Sequence, residues 1–299
     1  MLKTLSLLLV ATQLVAQDKP EGTSLLGAPL LSQKDTDGKI AAADAELAKT
    51  PAKLEAMLKA GQARDAFLQF GASIAIYTKA IQAFPTDPRP YRWRGHRQIS
   101  LRKFDLAIVD LEKARSLAPS SFEAAYYLGL AYYFSQRYGD AANELARCVN
   151  MAGKPDEFSK SLPPGMIGCA TLPQTPELLV GLADWHYRSL RRAGRSGEGK
   201  ELLTSIKDGL QLRSNDSNYR DLRYFQGKLS EKEVLDATGI PYTNAASAVA
   251  LNHLLGGKAG QGCTLLRKLT RDSNWSAFGV IAAEVEVAKE SRAVCALFK

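Results

Sequence analysis

The sequence has few of the residues from which metal and thiol sites are built, with four cysteines and three histidines among 299 residues. The cysteines form no C-x-x-C pair and the histidines form no H-E-x-x-H, so neither zinc nor thioredoxin chemistry is expected. No G-x-S-x-G is present either, which removes the signature of an α/β-type serine hydrolase. We therefore predict no metal, no cofactor and no enzymatic activity.

A strong excess of one charge is also missing. Lys and Arg number 39 and Asp and Glu number 31, which gives a net charge of +8 spread along the chain. No nucleic-acid-binding module accompanies this charge, so we expect no nucleic acid partner. The G-x-x-x-x-G-K of residues 194–200 is followed by Glu201, where a phosphate loop needs Ser or Thr and a preceding strand. We predict a turn between helices there and at the glycine-rich segment 256–262.

Long apolar runs are absent too. No segment approaches the ~20 apolar residues of a membrane-spanning helix, so we expect no membrane segment after processing of the N-terminus. Residues 1–16 have the layout of a signal peptide, with Lys3, an apolar run and the small Ala16. Cleavage after Ala16 would make the protein periplasmic or secreted; the alternative is a short leader that stays attached. The polar residues 17–38, with Gly and Pro, predict a flexible leader.

The four cysteines gain importance if the protein is exported. In an oxidising compartment they can form two disulfides, with three possible pairings. We favour the pairs Cys148–Cys169 and Cys263–Cys295, because each would join neighbouring elements of the chain. The alternative is four free cysteines that are buried as small hydrophobic residues.

What the sequence does contain is a repeat of 34 residues. Small residues recur where two helices must approach closely, large residues where the layer between helix pairs must be filled, and prolines where a helix ends. The matching positions are Gly61/Gly95/Gly129, Ser73/Ala107/Ala141, Phe70/Phe104/Tyr138, Tyr77/Leu111/Leu145 and Pro85/Pro119. Since one helix pair cannot bury its apolar face alone, the pairs are expected to stack.

These positions resemble the tetratricopeptide repeat (TPR) family, with small-x-x-Tyr in the first helix, Ala-x-x-x-Phe-x-x-Ala in the second and a closing Pro. The resemblance places three repeats at 54–87, 88–121 and 122–155, within a helical segment 39–155. It implies an all-α fold, namely a right-handed superhelical solenoid of antiparallel helix pairs.

The second half of the chain matches the repeat only loosely. A Pro- and Gly-rich loop is expected over 156–176, followed by TPR-like helical repeats over 177–299. None of these segments alternates with period 2, as a half-buried strand would. We predict a degenerate repeat at 243–276 and a last helix, Trp275–Glu290, that caps the array.

The TPR resemblance also indicates a binding surface, because one face of each first helix in this family lines a concave groove that holds a peptide. Guanidinium groups bind carboxylates well, and tyrosines offer rigid, partly polar contact area. The residues that correspond to the groove are Arg89, Arg92, His96, Ile99, Glu123, Tyr126, Leu130 and Tyr133. The alternative is that the arginines are solvated on an outer helix surface and the tyrosines pack between repeats.

The function that follows from the resemblance is a non-catalytic scaffold. The overall plan is similar to TPR adaptor proteins of the Gram-negative cell envelope, although no cysteine is available for a lipid anchor. We expect the groove to bind an extended acidic or C-terminal segment of a partner protein. The alternatives are an enzyme built on a helical toroid and a structural protein that self-associates through the ends of the solenoid.

Overall fold

The computed structural model describes residues 20–154, 161–213 and 216–290 together with Cys295, so the predicted signal peptide lies outside the described residues. The described chain is mainly helical, with one small antiparallel sheet. In chain order its strands and α-helices are β1 (Pro20–Thr23), β2 (Pro29–Leu31), α1 (Lys39–Lys49), α2 (Leu54–Asp65), α3 (Phe70–Ala83), α4 (Pro88–Ser100), α5 (Phe104–Leu117), α6 (Phe122–Phe134), α7 (Tyr138–Met151), α8 (Pro176–Arg192), α9 (Ser196–Ser205), α10 (Asp216–Phe225), α11 (Glu231–Leu235), α12 (Gly239–Leu255), α13 (Ala259–Leu269) and α14 (Phe278–Glu290). None of these helices is long and apolar enough to cross a membrane.

The helices of the first half follow the 34-residue period. Helices α2, α4 and α6 begin at Leu54, Pro88 and Phe122, which are the first residues of the three predicted repeats. Local capping supports these starts, since the Asp87 carboxylate accepts a hydrogen bond from the Arg89 amide and the Ser121 hydroxyl accepts one from the Ala124 amide. Each helix packs against the next one in sequence from α1 to α8, which is the contact pattern of an all-α solenoid.

Close approach within each pair depends on the glycine of the first helix. A Cβ atom added at Gly95 would lie 2.6 Å from Leu111 Cγ, and one added at Gly129 would lie 2.6 Å from Leu145 Cγ. These contacts are much shorter than van der Waals distance, so the large residue of the second helix fills the space that a side chain would take. The 34-residue pattern of small and large residues thus has the packing role expected from the sequence.

The turn between the two helices of a pair has the same geometry in both halves of the chain. Its central residue has a positive φ, and the next amide donates to the carbonyl oxygen five residues earlier, which is a Schellman turn. The residues with positive φ at these turns are Leu68, Arg102, Gln136, Gly194, Gly227 and Gly257. Six helix pairs of one type are therefore present among the described residues. The turns expected in 194–200 and 256–262 are two of them.

The N-terminal segment differs from the expectation of a flexible leader over 17–38. Residues 20–31 form a β-hairpin in which β1 pairs with β2, and Leu30 is 1% exposed. Leu30 packs with Phe70 and Leu101, and the Trp275 indole donates a 2.9 Å hydrogen bond to the Leu31 carbonyl oxygen. The prediction was wrong because the partners of this hairpin lie far away in the sequence.

The last helix does not cap the array, which corrects a second expectation. Residues 280–287 of α14 are all buried, whereas a terminal cap exposes a polar outer face. Helix α14 packs on α12, α13 and α6, so it contacts the third repeat of the first half. It begins at Phe278 rather than at Trp275.

Two disulfides hold the chain at the pairs that the sequence favours. Cys148 of α7 is bonded to Cys169, which begins a 3-10 helix (Cys169–Gln174) inside the segment expected to be a loop. Cys263 of α13 is bonded to Cys295. The first bond joins α7 to the start of the 3-10 helix, and the second joins α13 to Cys295.

Candidate functional site

The concave face of the first half is partly covered by the chain itself. Three of the residues expected to line the groove, Ile99, Leu130 and Tyr133, are at most 3% exposed. They belong to one apolar cluster that includes residues of α14 such as Ile281 and Val285. The prediction of partner contacts for these three residues is therefore wrong, because α14 and neighbouring helices already cover their side chains.

Two further groove residues make internal polar contacts. Arg89 pairs with Asp87 at 2.8 Å and with Glu55 at 3.2 Å. The Glu123 carboxylate accepts hydrogen bonds from the Ile167 amide, at 3.1 Å to the nearer oxygen, and from the Ser121 hydroxyl at 3.0 Å. Both side chains are half-buried. Arg89 links the starts of α2 and α4, and Glu123 links the start of α6 to the segment before the 3-10 helix.

Arg92 differs from both of them. Its side chain is 7% exposed, it makes no ion pair or hydrogen bond with any described residue, and its buried Nε has no partner. The guanidinium carbon lies 3.7 Å from the centroid of the Trp93 ring and 5.9 Å from that of Tyr127. Burial lowers the pKa of Arg92, because the charged form loses its hydration.

The other buried arginines of the described chain all have carboxylate partners. Arg97 lies 3.6 Å from Asp65, Arg102 pairs with Glu284, and Arg188 pairs with two aspartates. This contrast is informative because an unpaired buried charge is costly, whereas a paired one is tolerated. Arg92 thus lacks the carboxylate at ion-pair distance that its buried counterparts have.

Aromatic rings surround the unpaired guanidinium. The His96 ring stacks on Tyr127 with centroids 4.1 Å apart, and Tyr126 makes an edge contact with Tyr127 at 5.4 Å. Burial, together with the charges of Arg97 and Arg92, holds the pKa of His96 well below its usual value, so His96 is neutral at pH 7. We call Arg92, Trp93, His96, Tyr126 and Tyr127 the Arg92 site.

A residue from the far end of the sequence bounds this site. The Phe278 ring, at the start of α14, lies 5.6 Å from the His96 ring and 6.4 Å from the Tyr127 ring. Helix α14 is held in this position by buried ion pairs of Glu284 with Arg102 and of Glu286 with Arg192. The start of α14 therefore lies against the Arg92 site.

The sequence pattern identified part of this site. It selected Arg92, His96 and Tyr126, which the structure brings together, and it did not select Trp93 or Tyr127. Tyr127 follows Tyr126 directly, so a pattern that takes one face of the helix selects only one of the pair. The sequence around Phe278 did not indicate a place in this site, because no local pattern predicts that the start of α14 packs against α4 and α6. Within the described ranges, no three His, Cys, Asp or Glu residues are arranged to hold a metal ion.

Comparison with known proteins agrees with this architecture. The chain is 31% identical over 106 residues to small glutamine-rich tetratricopeptide repeat-containing protein 2 from Saccharomyces cerevisiae, a match that covers 36% of this chain and 31% of the yeast protein. The chain thus spans about a third of the length of that relative. No family model matches the sequence.

The fold comparison covers more of the chain. The crystal structure of a tetratricopeptide repeat protein from Parabacteroides merdae superposes with a TM-score of 0.50 and 15% sequence identity, covering 84% of this chain and 91% of the other. The similarity of fold extends over both halves, including the part where the sequence repeat is degenerate. Together the two comparisons confirm the resemblance to the TPR family and the all-α solenoid.

Proposed function

We propose that this TPR-type solenoid is a non-catalytic scaffold that binds a carboxylate-bearing segment of a partner protein at the Arg92 site. The observation that carries the proposal is that Arg92 is 7% exposed and makes no ion pair or hydrogen bond with any described carboxylate. A carboxylate from a partner would supply it, since the guanidinium group can donate two parallel hydrogen bonds to one carboxylate. The rings of Trp93, Tyr126 and Tyr127 would provide contact area around it.

The geometry also limits the length of the bound segment. Ile99, Leu130 and Tyr133 are buried, and Phe278 bounds the site on one side. A partner would therefore contact α4 and α6 over a short stretch rather than run along the whole solenoid. This is a narrower interaction than the full groove expected from the repeat pattern alone.

We further propose that the protein acts outside the cytoplasm, in the periplasm or as a secreted protein. The sequence of residues 1–16 motivates this proposal, and the two disulfides support it because such bonds persist in oxidising compartments. The mass of the protein recovered from its host, measured without reduction, should correspond to cleavage after Ala16 with no free thiol. An intact N-terminus would contradict the export proposal.

A titration with small carboxylates tests the Arg92 site directly. We expect N-acetylglutamate to shift the indole N–H signal of Trp93 in a 1H–15N spectrum, whereas N-acetylglutamine amide has no comparable effect. Arg92→Met should abolish the shift, and it should raise the melting temperature because it replaces an unpaired buried charge with an apolar side chain of similar length.

The control for this experiment is Arg137→Met. Arg137 is exposed and lies over the Tyr132 ring, outside the Arg92 site, so the variant removes the same charge without changing the site. It should keep the response of wild type. Equal responses of wild type and Arg92→Met to the carboxylate would reject the proposed site.

A further inference from the structure

One carboxylate of the chain lies close to the Arg92 site without pairing with Arg92. Glu123 precedes Tyr127 by four residues in α6, and the Tyr127 ring centroid lies 5.9 Å from the Arg92 guanidinium carbon. Side chains four residues apart are neighbours on a helix surface, so Glu123 and Tyr127 share one face of α6. Burial lowers the pKa of Arg92, and the charge of Glu123 is among the influences that raise it. The absence of an ion pair between two such neighbours needs a physical reason.

The Glu123 carboxylate is held by other donors. The Ile167 amide donates to both of its oxygens, at 3.2 Å and 3.1 Å, and the Ser121 hydroxyl donates to one of them at 3.0 Å. These hydrogen bonds involve both carboxylate oxygens, so they fix the side chain in one orientation. The donors that hold Glu123 therefore come from the segment before the 3-10 helix and from the start of α6.

The Ile167 amide is fixed in turn by backbone pairing. The Phe122 amide donates to the Ile167 carbonyl oxygen, and the Cys169 amide donates to the Ser120 carbonyl oxygen, both at 2.8 Å. Residues 167–169 thus lie alongside the start of α6 in the manner of an added strand. We call them the 167–169 segment.

A disulfide fixes the end of the 167–169 segment. Cys169 is bonded to Cys148 of α7, and α7 packs against α6. The segment is thus joined to the third repeat by backbone hydrogen bonds and by a covalent bond. Hydrogen bonds of connecting segments open locally, and the covalent bond limits how far the segment can move when they do.

We propose that the 167–169 segment keeps the Arg92 site open by holding Glu123 away from Arg92. This role of the segment rests on the proposed binding of a partner carboxylate at Arg92, and Glu123 is the internal group that competes for the same guanidinium. When the segment is released, Glu123 loses the Ile167 amide and pairs with Arg92, because a buried charge is stabilised by a carboxylate partner. The site then no longer accepts a carboxylate from outside.

The test compares variants of the full chain with N-acetylglutamate as the ligand and the Trp93 indole signal as the readout. Cys148→Ala/Cys169→Ala should weaken binding by roughly tenfold or more, because Glu123 then forms a charge-assisted pair with Arg92. Addition of Glu123→Gln to this variant should restore the binding of wild type, since the amide cannot form an ion pair. Recovery by a change at Glu123 is not expected if the loss of the disulfide merely loosens the fold.

The other disulfide provides the matched control. Cys263→Ala/Cys295→Ala removes a bond that joins α13 to Cys295, outside the third repeat, and it should bind N-acetylglutamate as wild type does. Equal weakening in the two disulfide variants would overturn the role of the 167–169 segment. Unchanged binding in Cys148→Ala/Cys169→Ala, or no recovery on addition of Glu123→Gln, would overturn it as well.

A measurement without ligand separates this role from the proposed function. Pairing with Glu123 should move the Nε–H proton signal of Arg92 downfield in a 1H–15N spectrum of Cys148→Ala/Cys169→Ala, and Glu123→Gln should return it to its wild-type position. This shift, together with no response of wild type to N-acetylglutamate, would support the hold on Glu123 and reject carboxylate binding. A response of wild type without the shift in the variant would reject the hold on Glu123 and leave the Arg92 site supported.

Discussion

The ion pair of Arg102 and Glu284 offers a direct test of how the two ends of the chain are joined. These residues lie 182 positions apart, and both side chains are 2% exposed. Arg102 donates to both carboxylate oxygens, at 2.9 Å and 2.5 Å, and also to the Trp275 carbonyl oxygen at 2.8 Å. Arg102→Met would leave Glu284 buried without a cation. We expect the free energy of unfolding to fall by about 3–5 kcal/mol, the usual result of removing one partner of a buried pair.

The expected loss of stability in Arg102→Met can be assigned to the ion pair rather than to the turn at this position. Arg102 has a φ of 60°, and methionine meets the same backbone cost as arginine, so the loss cannot come from the turn itself. The double variant Arg102→Met/Glu284→Leu should recover most of the loss, because no unpaired charge remains.

Denaturation in urea, followed by circular dichroism, gives the free energy of unfolding of Arg102→Met and of the double variant. The exposed pair Arg137–Asp140 serves as reference, and Arg137→Met should cost at most ~1 kcal/mol. A loss below ~1 kcal/mol for Arg102→Met, or no recovery in the double variant, would refute the role of this pair in holding α14.

Two further predictions follow from packing and from burial. Gly129→Ala should destabilise the protein by about 1–3 kcal/mol, because its Cβ would lie 2.6 Å from Leu145 Cγ. Gly139→Ala should not destabilise it, because a Cβ at that position has nothing within 4 Å. Thermal unfolding distinguishes the two variants, and equal effects would contradict the packing argument. Burial lowers the pKa of His186 to about 4. Since the unfolded chain then binds the proton more tightly, stability should be full above pH ~6.5 and fall by about 3 kcal/mol on acidification to pH ~4. His186→Phe should remove this part of the pH dependence.

The repeat unit could be predicted from the sequence because its determinants are local. The glycine at position 129 and the leucine at position 145 belong to one helix pair, and the turn between them closes within a few residues. The same applies to the capping residues Asp87 and Ser121, which precede helices directly. A period in the sequence therefore predicts helix starts at 88 and 122 without knowledge of the rest of the molecule.

The second half of the chain has the same turn between paired helices as the first half, but it lacks the 34-residue pattern of small and large side chains. Gly194, Gly227 and Gly257 have positive φ at the turns, where glycine meets no steric cost, whereas the first half places Leu68, Arg102 and Gln136 there. The helix pairs are also unequal in length, since α11 has five residues and α12 has 17. A search for a fixed 34-residue period could not align these pairs, although their geometry is the same.

The covering of the groove could not be predicted, because it depends on contacts between distant segments. Nothing near Ile99 or Tyr133 indicates that α14 lies over them, and nothing in residues 20–31 indicates a hairpin against Trp275. Such contacts depend on charge and shape across the assembled solenoid. The buried glutamates of α14 were a possible signal, since Glu284 and Glu286 interrupt an otherwise apolar helix and needed cations elsewhere.

The ion pairs of the other buried arginines set Arg92 apart within the described structure. Arg102 and Arg192 pair with the glutamates of α14, and Arg188 pairs with one aspartate of α8 and one of α10. Each of these arginines joins two parts of the fold, so its role is to stabilise the assembled chain. Arg92 is buried to a similar degree but makes no ion pair with any described residue, so only its contacts with the rings of Trp93 and Tyr127 offset the cost of its desolvation. A partner that brings a carboxylate to Arg92 would complete the same kind of buried ion pair, now between two proteins.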